Sequence, residues 1–242
     1  MPGFYTPELL PQSKQLDISG NEHHHIVHVF RKQINDEILL TNGQGVLASA
    51  KIIAIGKKNL QVEILEISQP QNSQPSISVA LPLLKNKHDN LIVEKLTELG
   101  VREFYPILTE RTIRKAHKNI CQKFEKVAIA AIKQCDNAYL PKIHQPVALS
   151  ELLAQLPAEV QPIAALEFGQ HPLISQVVAP QTATCLIIGP EGGFSPAEAK
   201  FMLQNQVKAI TLGNHILRAE TAAITAVSQL LSCYLRDNPA YY

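Results

Sequence analysis

Residues 186–198 read LIIGPEGGFSPAE, and this stretch indicates the fold of the chain more clearly than any other. Three apolar residues, typical of a short strand, run into a loop rich in glycine. The last four residues have the chemistry of a helix start, because Ser195 can cap the helix, Pro196 suits its first position and Glu198 completes a capping box. The glycines therefore lie between a strand end and a helix start, which is where open α/β sheets bind ligands.

The glycine loop matches neither of the common phosphate-binding loops. No Gly-Lys-Ser/Thr follows it, and it lacks the Gly-x-Gly-x-x-Gly spacing of dinucleotide folds. On physical grounds alone, a tight structural turn and a ligand-binding loop explain these glycines about equally well.

A second stretch, residues 210–223, repeats the arrangement with the letters ITLGNHILRAETAA. A short strand again leads through a glycine to the start of a helix, so the two loops could form the walls of a single pocket. Arg218 and Glu220 place opposite charges beside it. An ion pair between them that merely pins the loop is the alternative interpretation.

Outward from these loops, short apolar strands alternate with amphipathic helices, which predicts an α/β fold with a mostly parallel sheet. The predicted strands cover residues 77–84, 104–108, 162–167, 184–188 and 208–212, and the predicted helices cover residues 89–99, 120–132 and 219–236.

The N-terminal part has a different pattern. Residues 68–75, SQPQNSQP, are polar and contain two prolines, which indicates a linker. Before it, three runs rich in Ile, Leu and Val predict strands over residues 37–41, 46–55 and 60–67, with one short helix around residues 22–31. We expect a small β-barrel domain over residues 1–70 and an α/β domain over residues 76–242.

Composition and cysteine spacing place the chain among ordinary globular proteins. No apolar run is long enough for a membrane span, and the N-terminus lacks the pattern of a signal peptide, so we expect a cytoplasmic protein. The cysteines are Cys121, Cys135, Cys185 and Cys233, and their scattered positions predict reduced thiols rather than a zinc site or a disulfide framework.

Charge is distributed unevenly along the chain. Residues 76–145 carry twelve Lys and Arg against seven Asp and Glu, although the whole chain has a net charge of only +1. The densest basic cluster consists of Arg111, Arg114, Lys115 and Lys118. It could bind an anionic partner such as RNA phosphates, or it could simply form a solvated helix face.

Four histidines near the N-terminus raise the question of a metal site. His24 and His28 share a helix face beside His23 and His25. The glutamate of a His-Glu-x-x-His motif is missing, and no cysteine or acidic set completes four ligands. We therefore expect no metal, and favour an exposed or RNA-facing helix.

The two glycine loops together resemble the RsmE family. The resemblance rests on residues 189–194, GPEGGF, and residues 212–222, LGNHILRAETA, with support from residues 98–101, ELGV, and 110–112, ERT. Members of this family belong to the SPOUT superfamily and use S-adenosylmethionine to methylate N3 of a uridine in 16S ribosomal RNA of the small subunit.

The resemblance implies a PUA-like β-barrel followed by an α/β domain with a deep trefoil knot. It also implies a homodimer, with the cofactor in the knot and the RNA site at the subunit interface. One segment departs from the family. Where the family often has Glu-Gln and a nearby Arg, residues 133–137 read KQCDN, so the contacts of that Arg cannot be carried over.

The resemblance also implies roles for individual residues. Arg218 would stabilise negative charge on the uracil oxygens. Glu191 or Glu220 could remove the N3 proton, but capping or ion pairing is the favoured role for each, so no base is assigned. Arg31 would join the basic cluster in binding RNA. The expected cofactor-binding residues are Leu166, Ile188, Gly189, Pro190, Glu191, Gly192, Leu212, Gly213, Ile216, Leu217, Arg218, Thr221 and Ala222.

Two other functions compete with this one. A ribose 2′-O methyltransferase of the same superfamily would share the fold, but residues 216–222 fit the base-methylating family better. A non-catalytic RNA-binding or ribosome-assembly factor would keep the fold without binding the cofactor. A generic phosphate-binding α/β protein is disfavoured because the phosphate-loop lysine is missing.

Overall fold

The computed structural model describes residues 3–70, 75–84, 88–112, 118–179 and 181–236. The chain divides into two compact units. One comprises Met1–Asn72 with Ala128–Leu140, and the other comprises Ser73–Val127 with Pro141–Tyr242. Among the described residues, no helix has the length and apolar character needed to cross a membrane.

The first unit is built on a five-stranded sheet with the order β1-β3-β4-β5-β2. Two register shifts between β4 and β5 mark irregularities that bend such sheets. Its inward-facing residues, among them Phe4, Leu40 and Val62, form one hydrophobic core. The strands are β1 (Gly3–Tyr5), β2 (Gln15–Ser19), β3 (Glu37–Thr41), β4 (Leu47–Ile55) and β5 (Asn59–Ser68).

The three predicted strands of this unit are confirmed as β3, β4 and β5. The predicted helix is confirmed as α1 (Gly20–His24), followed by a π-helical turn over His25–Val29. The turn is defined by a bond from the Phe30 amide to the His25 carbonyl at 2.9 Å. Residues 128–140 group with this unit, and their contacts include the Leu140 amide donating to the Gly43 carbonyl at 2.8 Å.

The second unit contains a seven-stranded sheet in which the strands described here all pair in parallel, as the alternation of strands and helices predicted. The main path runs β12-β10-β11-β6-β7-β8, and β9 pairs with β7. The strands are β6 (Ile77–Pro82), β7 (Glu103–Leu108), β8 (Lys142–Ile143), β9 (Val147–Ala148), β10 (Gln161–Ala165), β11 (Thr184–Ile187) and β12 (Lys208–Ile210).

The helices that follow the first unit's α1 in the chain keep the predicted order, with two short additions, and the end of α3 from Ala128 onward groups with the first unit. The predicted helices are confirmed as α2 (His88–Glu98), α3 (Ile120–Gln134), α6 (Pro196–Gln204) and α7 (Ala219–Arg236), and the additions are α4 (Leu149–Gln155) and α5 (Ile174–Val177). In α7, Ala223, Ala226, Val227 and Leu230 are fully buried. Their 3, 4 spacing is the buried stripe of an amphipathic helix, and α7 packs against α2.

None of the four cysteines forms a disulfide bond. Cys185 and Cys233 are buried, whereas Cys121 and Cys135 are partly exposed. Burial in β11 raises the pKa of the Cys185 thiol to about 12. Cys185 therefore stays protonated at neutral pH and acts as a small apolar core residue rather than as a nucleophile.

Candidate functional site

The glycine loop begins where β11 leaves the sheet. The Ile188 amide donates to the Ala80 carbonyl at 3.0 Å, and the Gly193 amide closes a turn onto the Pro190 carbonyl at 2.9 Å. Gly193 has a φ of +65°, in the left-handed region that favours glycine. A Cβ at this position would also collide with the Glu167 carboxylate. Both conditions make glycine the residue that fits here.

The capping box predicted for α6 is confirmed. The Ser195 hydroxyl accepts from the Glu198 amide at 3.1 Å, and the Glu198 carboxylate accepts from the Ser195 amide at 2.8 Å. The other carboxylate oxygen of Glu198 accepts from the Glu110 amide at 2.9 Å. One buried carboxylate therefore joins the start of α6 to the segment that follows β7.

That segment, residues 109–112, also contacts the glycine loop. The Arg111 guanidinium donates to the Gly192 carbonyl at 2.5 Å, and the Arg111 side chain lies alongside the place where a Gly192 Cβ would stand. The sequence predicted an RNA contact for Arg111. The structure places one of its donors on the glycine loop.

The other predicted RNA-binding residues are placed only in part. Lys118 and Arg31 are exposed, and Arg31 has a left-handed backbone with a φ of 53°. Arg114 and Lys115 lie outside the described residues.

The second loop connects β12 to α7. The Thr211 amide donates to the Pro172 carbonyl at 3.0 Å, and the Thr211 hydroxyl donates to the Gly213 carbonyl at 3.1 Å. The Gln229 amide group of α7 donates to the Leu212 carbonyl at 3.4 Å. These bonds hold the loop at both of its ends while its middle stays exposed.

The two loops line a single pocket of about 690 Å³. Strand order explains why they meet, because β10 lies between β11 and β12 and all three strands point the same way. The predicted cofactor residues that line this pocket are Leu166, Ile188, Gly189, Pro190, Glu191, Leu212, Gly213, Ile216, Leu217, Arg218 and Ala222. Gly192 and Thr221 are not part of the lining.

The lining residues that follow β10 were only partly predicted. Glu167, Phe168 and Gly169 follow β10 and line the pocket together with the predicted Leu166. The signal was available, since residues 162–167 were predicted as a strand and ligand sites lie at strand ends. What the sequence lacked was the position of this strand between the other two.

Charged side chains are distributed around the pocket wall. Glu167, Glu191, Arg218 and Glu220 all line it. The Arg218–Glu220 ion pair that the sequence left open is not found among the residues that the structure describes. Glu220 instead contacts His88, with 3.3 Å between His88 Nδ1 and Glu220 Oε1. Ile216 is 80% exposed at the pocket, an unusual position for so large an apolar side chain.

The N-terminal histidines are engaged in local contacts. His23 is buried, with its Nε2 atom 3.1 Å from the Gly56 carbonyl oxygen. The rings of His24 and His28 lie 5.1 Å apart. Within the described ranges, no group of three His, Cys, Asp or Glu residues is arranged to hold a metal ion.

The segment that departs from the RsmE pattern has a structural contact of its own. Lys133 Nζ donates to both carboxylate oxygens of Glu22, at 2.8 and 3.0 Å. Both side chains are largely shielded from solvent. Lys133 therefore joins residues 128–140 to α1 within the first unit.

Comparison with known proteins finds two families that match the chain. A family described as an RNA methyltransferase domain matches residues 70–231, and one described as an RNA methyltransferase PUA domain matches residues 18–65. Ribosomal RNA small subunit methyltransferase E of Rickettsia conorii is 29% identical over 231 residues, covering 94% of this chain and 93% of the relative. The Bacillus subtilis protein of the same name is 27% identical over 238 residues, covering 93% of each.

A solved structure extends this likeness to three dimensions. Ribosomal RNA small subunit methyltransferase E from Neisseria gonorrhoeae, bound to S-adenosyl methionine, superposes with a TM-score of 0.89 at 26% identity. The match covers 97% of this chain and 98% of the Neisseria chain. The expected α/β fold and N-terminal PUA domain are thereby confirmed. The chain belongs to the RNA methyltransferase family that its two glycine loops indicated.

Proposed function

We propose that this protein transfers the methyl group of S-adenosylmethionine to N3 of a uridine in the 16S RNA of the small ribosomal subunit. The observation that carries the proposal is the single pocket lined by both glycine loops. Support comes from the likeness, over nearly the whole chain, to a small-subunit RNA methyltransferase bound to S-adenosyl methionine.

The pocket suits this cofactor in size and charge. Its volume of about 690 Å³ lies within the range of sites for small ligands. S-adenosylmethionine carries a sulfonium and an ammonium cation, which the carboxylates of Glu167, Glu191 and Glu220 would attract. Backbone groups at Gly189 and Gly213 can approach the ligand closely because these two residues carry no side chain.

We assign the cofactor contacts to residues from both loops and from the end of β10. Gly192 and Thr221 are included in this assignment because each is a sequence neighbour of lining residues. The direct contacts would come from Leu166, Ile188, Gly189, Pro190, Glu191, Leu212, Gly213, Ile216, Leu217, Arg218 and Ala222.

The reaction also requires control of charge on the uracil. Uracil N3 keeps its proton at neutral pH, so its removal leaves negative charge on the neighbouring oxygens. Arg218 lines the pocket and makes no ion pair with any residue in the described part of the chain. Its guanidinium is therefore available to stabilise the negative charge on the uracil oxygens. The cofactor supplies the methyl group, and the pocket contributes mainly by aligning the two reactants.

The RNA would be held outside the pocket by basic residues. We assign Arg31, Arg111, Arg114, Lys115 and Lys118 to phosphate contacts. Arg111 can combine this role with its bond to Gly192, because a guanidinium has five N–H donors. We further assign residues 1–70 as the PUA-like RNA-binding domain and residues 76–242 as the SPOUT methyltransferase domain.

Three further properties belong to this proposal. We expect residues 76–242 to form a trefoil knot and the protein to act as a homodimer, as the resemblance to the RsmE family implies. With ribosomal RNA as the substrate, we also expect it to act in the cytoplasm.

Incubation of the purified protein with small ribosomal subunits and methyl-labelled S-adenosylmethionine tests the function. Nucleosides from the digested RNA are then identified by mass spectrometry. Label in N3-methyluridine supports the proposal. Label in a 2′-O-methylated nucleoside would assign the protein to the ribose-methylating branch. RNA binding without label transfer, together with no cofactor binding by calorimetry, would identify a non-catalytic assembly factor.

A further inference from the structure

The pocket contains a histidine that the proposed reaction has not yet used. His88 is the first residue of α2, and Glu220 lies in the first turn of α7. Both residues line the pocket beside Arg218. Because α2 and α7 pack against one another, the two helix starts hold the histidine and the carboxylate together.

The contact between them turns one ring nitrogen of His88 toward the carboxylate. His88 Nδ1 lies 3.3 Å from Glu220 Oε1. A carboxylate oxygen attracts an N–H donor, so Nδ1 is the ring nitrogen that faces Glu220 and Nε2 is the one left for a ligand. The described residues provide no hydrogen-bond or ion-pair partner for Nε2, so this nitrogen is open to a ligand.

Exposure differs between the two side chains in a way that suits a proton acceptor. The Glu220 side chain is 14% exposed, whereas the His88 side chain is 38% exposed. The carboxylate is therefore fixed within the wall, and the imidazole is open both to a ligand and to solvent. A proton taken from a ligand could leave through the exposed imidazole.

We propose that His88 removes the N3 proton of the target uracil and that Glu220 is a positioning residue that orients the imidazole. This inference rests on the proposed function. The N3–H proton moves to His88 Nε2, and the electron pair of N3 forms the new bond to the methyl carbon. The bond between that carbon and sulfur breaks with its electrons on sulfur, leaving S-adenosylhomocysteine.

Imidazole suits this role better than the carboxylates of the pocket do. Histidine as a residue type titrates closer to neutral pH than aspartate or glutamate, and a general base works best when its pKa lies near the working pH. Glu220 is already occupied by His88, and Glu191 makes a contact of its own. Arg218, on the same wall, would stabilise the charge that deprotonation creates.

The test compares two RNA substrates that differ in the acidity of N3. Small subunits are reconstituted with 16S RNA that contains either uridine or 5-fluorouridine, whose electron-withdrawing fluorine makes the N3 proton easier to remove. Single-turnover methyl transfer is measured at saturating cofactor for the wild type and for His88→Ala, Glu220→Gln and Arg111→Ala. Cofactor binding by calorimetry and thermal melting of each variant establish that it is folded.

A base that removes the N3 proton predicts a defect that depends on the substrate. We expect His88→Ala to slow transfer to uridine RNA by about 10²-fold or more. Its defect on 5-fluorouridine RNA should be at least about tenfold smaller, because the missing base matters less there. Glu220→Gln should also slow transfer more on uridine RNA than on 5-fluorouridine RNA, but by a smaller factor than His88→Ala does. Arg111→Ala should slow transfer by the same factor on both RNAs.

Equal losses on the two RNAs for His88→Ala, or no loss, would overturn the role of His88. That result would assign the His88–Glu220 contact to holding α2 and α7 together. Failure of the proposed function itself looks different, since the wild type would then transfer no methyl group to N3 of either RNA.

Discussion

Gly193 is the position at which the pocket wall tolerates no side chain. Its left-handed backbone already favours glycine, and the Glu167 carboxylate occupies the space of a Cβ. The sequence showed that a glycine stands here. It could not show the Glu167 contact, because Glu167 follows a different strand and is brought to the loop only by the sheet.

Arg218 has two proposed roles, a contact with the cofactor and stabilisation of charge on the uracil. We expect Arg218→Ala to lower kcat by about 10²-fold or more, because the charge on the uracil oxygens would lose its main stabilising group. The cofactor dissociation constant should change little, since the other residues assigned to the cofactor stay in place. Methyl-transfer kinetics and calorimetry measure the two quantities, and retained activity would remove Arg218 from the mechanism.

Arg111 acts on the glycine loop through the Gly192 carbonyl. We expect Arg111→Ala to raise the cofactor dissociation constant by about tenfold or less, because one charge-assisted hydrogen bond on an exposed side chain is removed. Arg111→Lys keeps the charge but not the planar donor set, so it should recover little of the affinity.

Calorimetry with S-adenosylmethionine measures this effect. Lys126→Ala, which removes an exposed cation from α3, is the matched control and should leave the affinity unchanged. Wild-type affinity in Arg111→Ala would show that the bond to Gly192 does not position the loop.

At the scale of single elements, the start of α6 shows how far local sequence determines structure. Ser195, Pro196 and Glu198 lie within one helical turn, and the capping box that they predict is present. Glu198 also bonds the Glu110 amide, a contact from another part of the chain that no local pattern reveals. Local chemistry determines where the helix begins, and the sheet determines what the cap touches.

The cap is expected to contribute measurably to stability. Ser195→Ala removes the acceptor for the Glu198 amide and should lower the free energy of unfolding by about 1 kcal/mol. Urea denaturation monitored by circular dichroism measures the change. Ser150→Ala, at an exposed position in the first turn of α4, is the control and should be close to neutral. Equal stability of Ser195→Ala and the wild type would mean that the box does not stabilise α6.

Elements with a clear apolar pattern could be predicted, and the two-residue strands could not. The strands over Glu37–Thr41 and Thr184–Ile187 were predicted close to their observed bounds, because each buries alternating or continuous apolar side chains. The two-residue strands Lys142–Ile143 and Val147–Ala148 depend on a neighbouring strand for their pairing. A single sequence contains no signal for that neighbour.

At the scale of the whole molecule, strand order produces the functional site. The loops after β11 and β12 are separated by more than ten residues of sequence that include α6, yet they line one pocket because β10 lies between their strands. The motifs indicated that the two loops belong together. The order of the strands, and with it the contribution of residues 165–169 to the pocket, could be learned only from the structure.

The basic cluster after β7 is the part of the molecule assigned to RNA phosphates. We expect simultaneous replacement of Arg114, Lys115 and Lys118 by alanine to weaken RNA binding and flatten its salt dependence, by about one unit of slope for each phosphate that the protein no longer neutralises. Cofactor affinity should not change. Filter binding across a range of salt concentrations measures this, and an unchanged slope would indicate that the cluster is only a solvated surface.

The central claim is that the two-loop pocket serves methylation of a uridine base in the small ribosomal subunit. It is tested most directly by mass mapping of methylated nucleosides in small-subunit RNA from cells with and without the gene for this protein. We expect N3-methyluridine to disappear at one position without the gene and to return when the gene is restored, but not with the Arg218→Ala gene. An unchanged N3-methyluridine content without the gene, or loss of a ribose-methylated nucleoside instead, would contradict it.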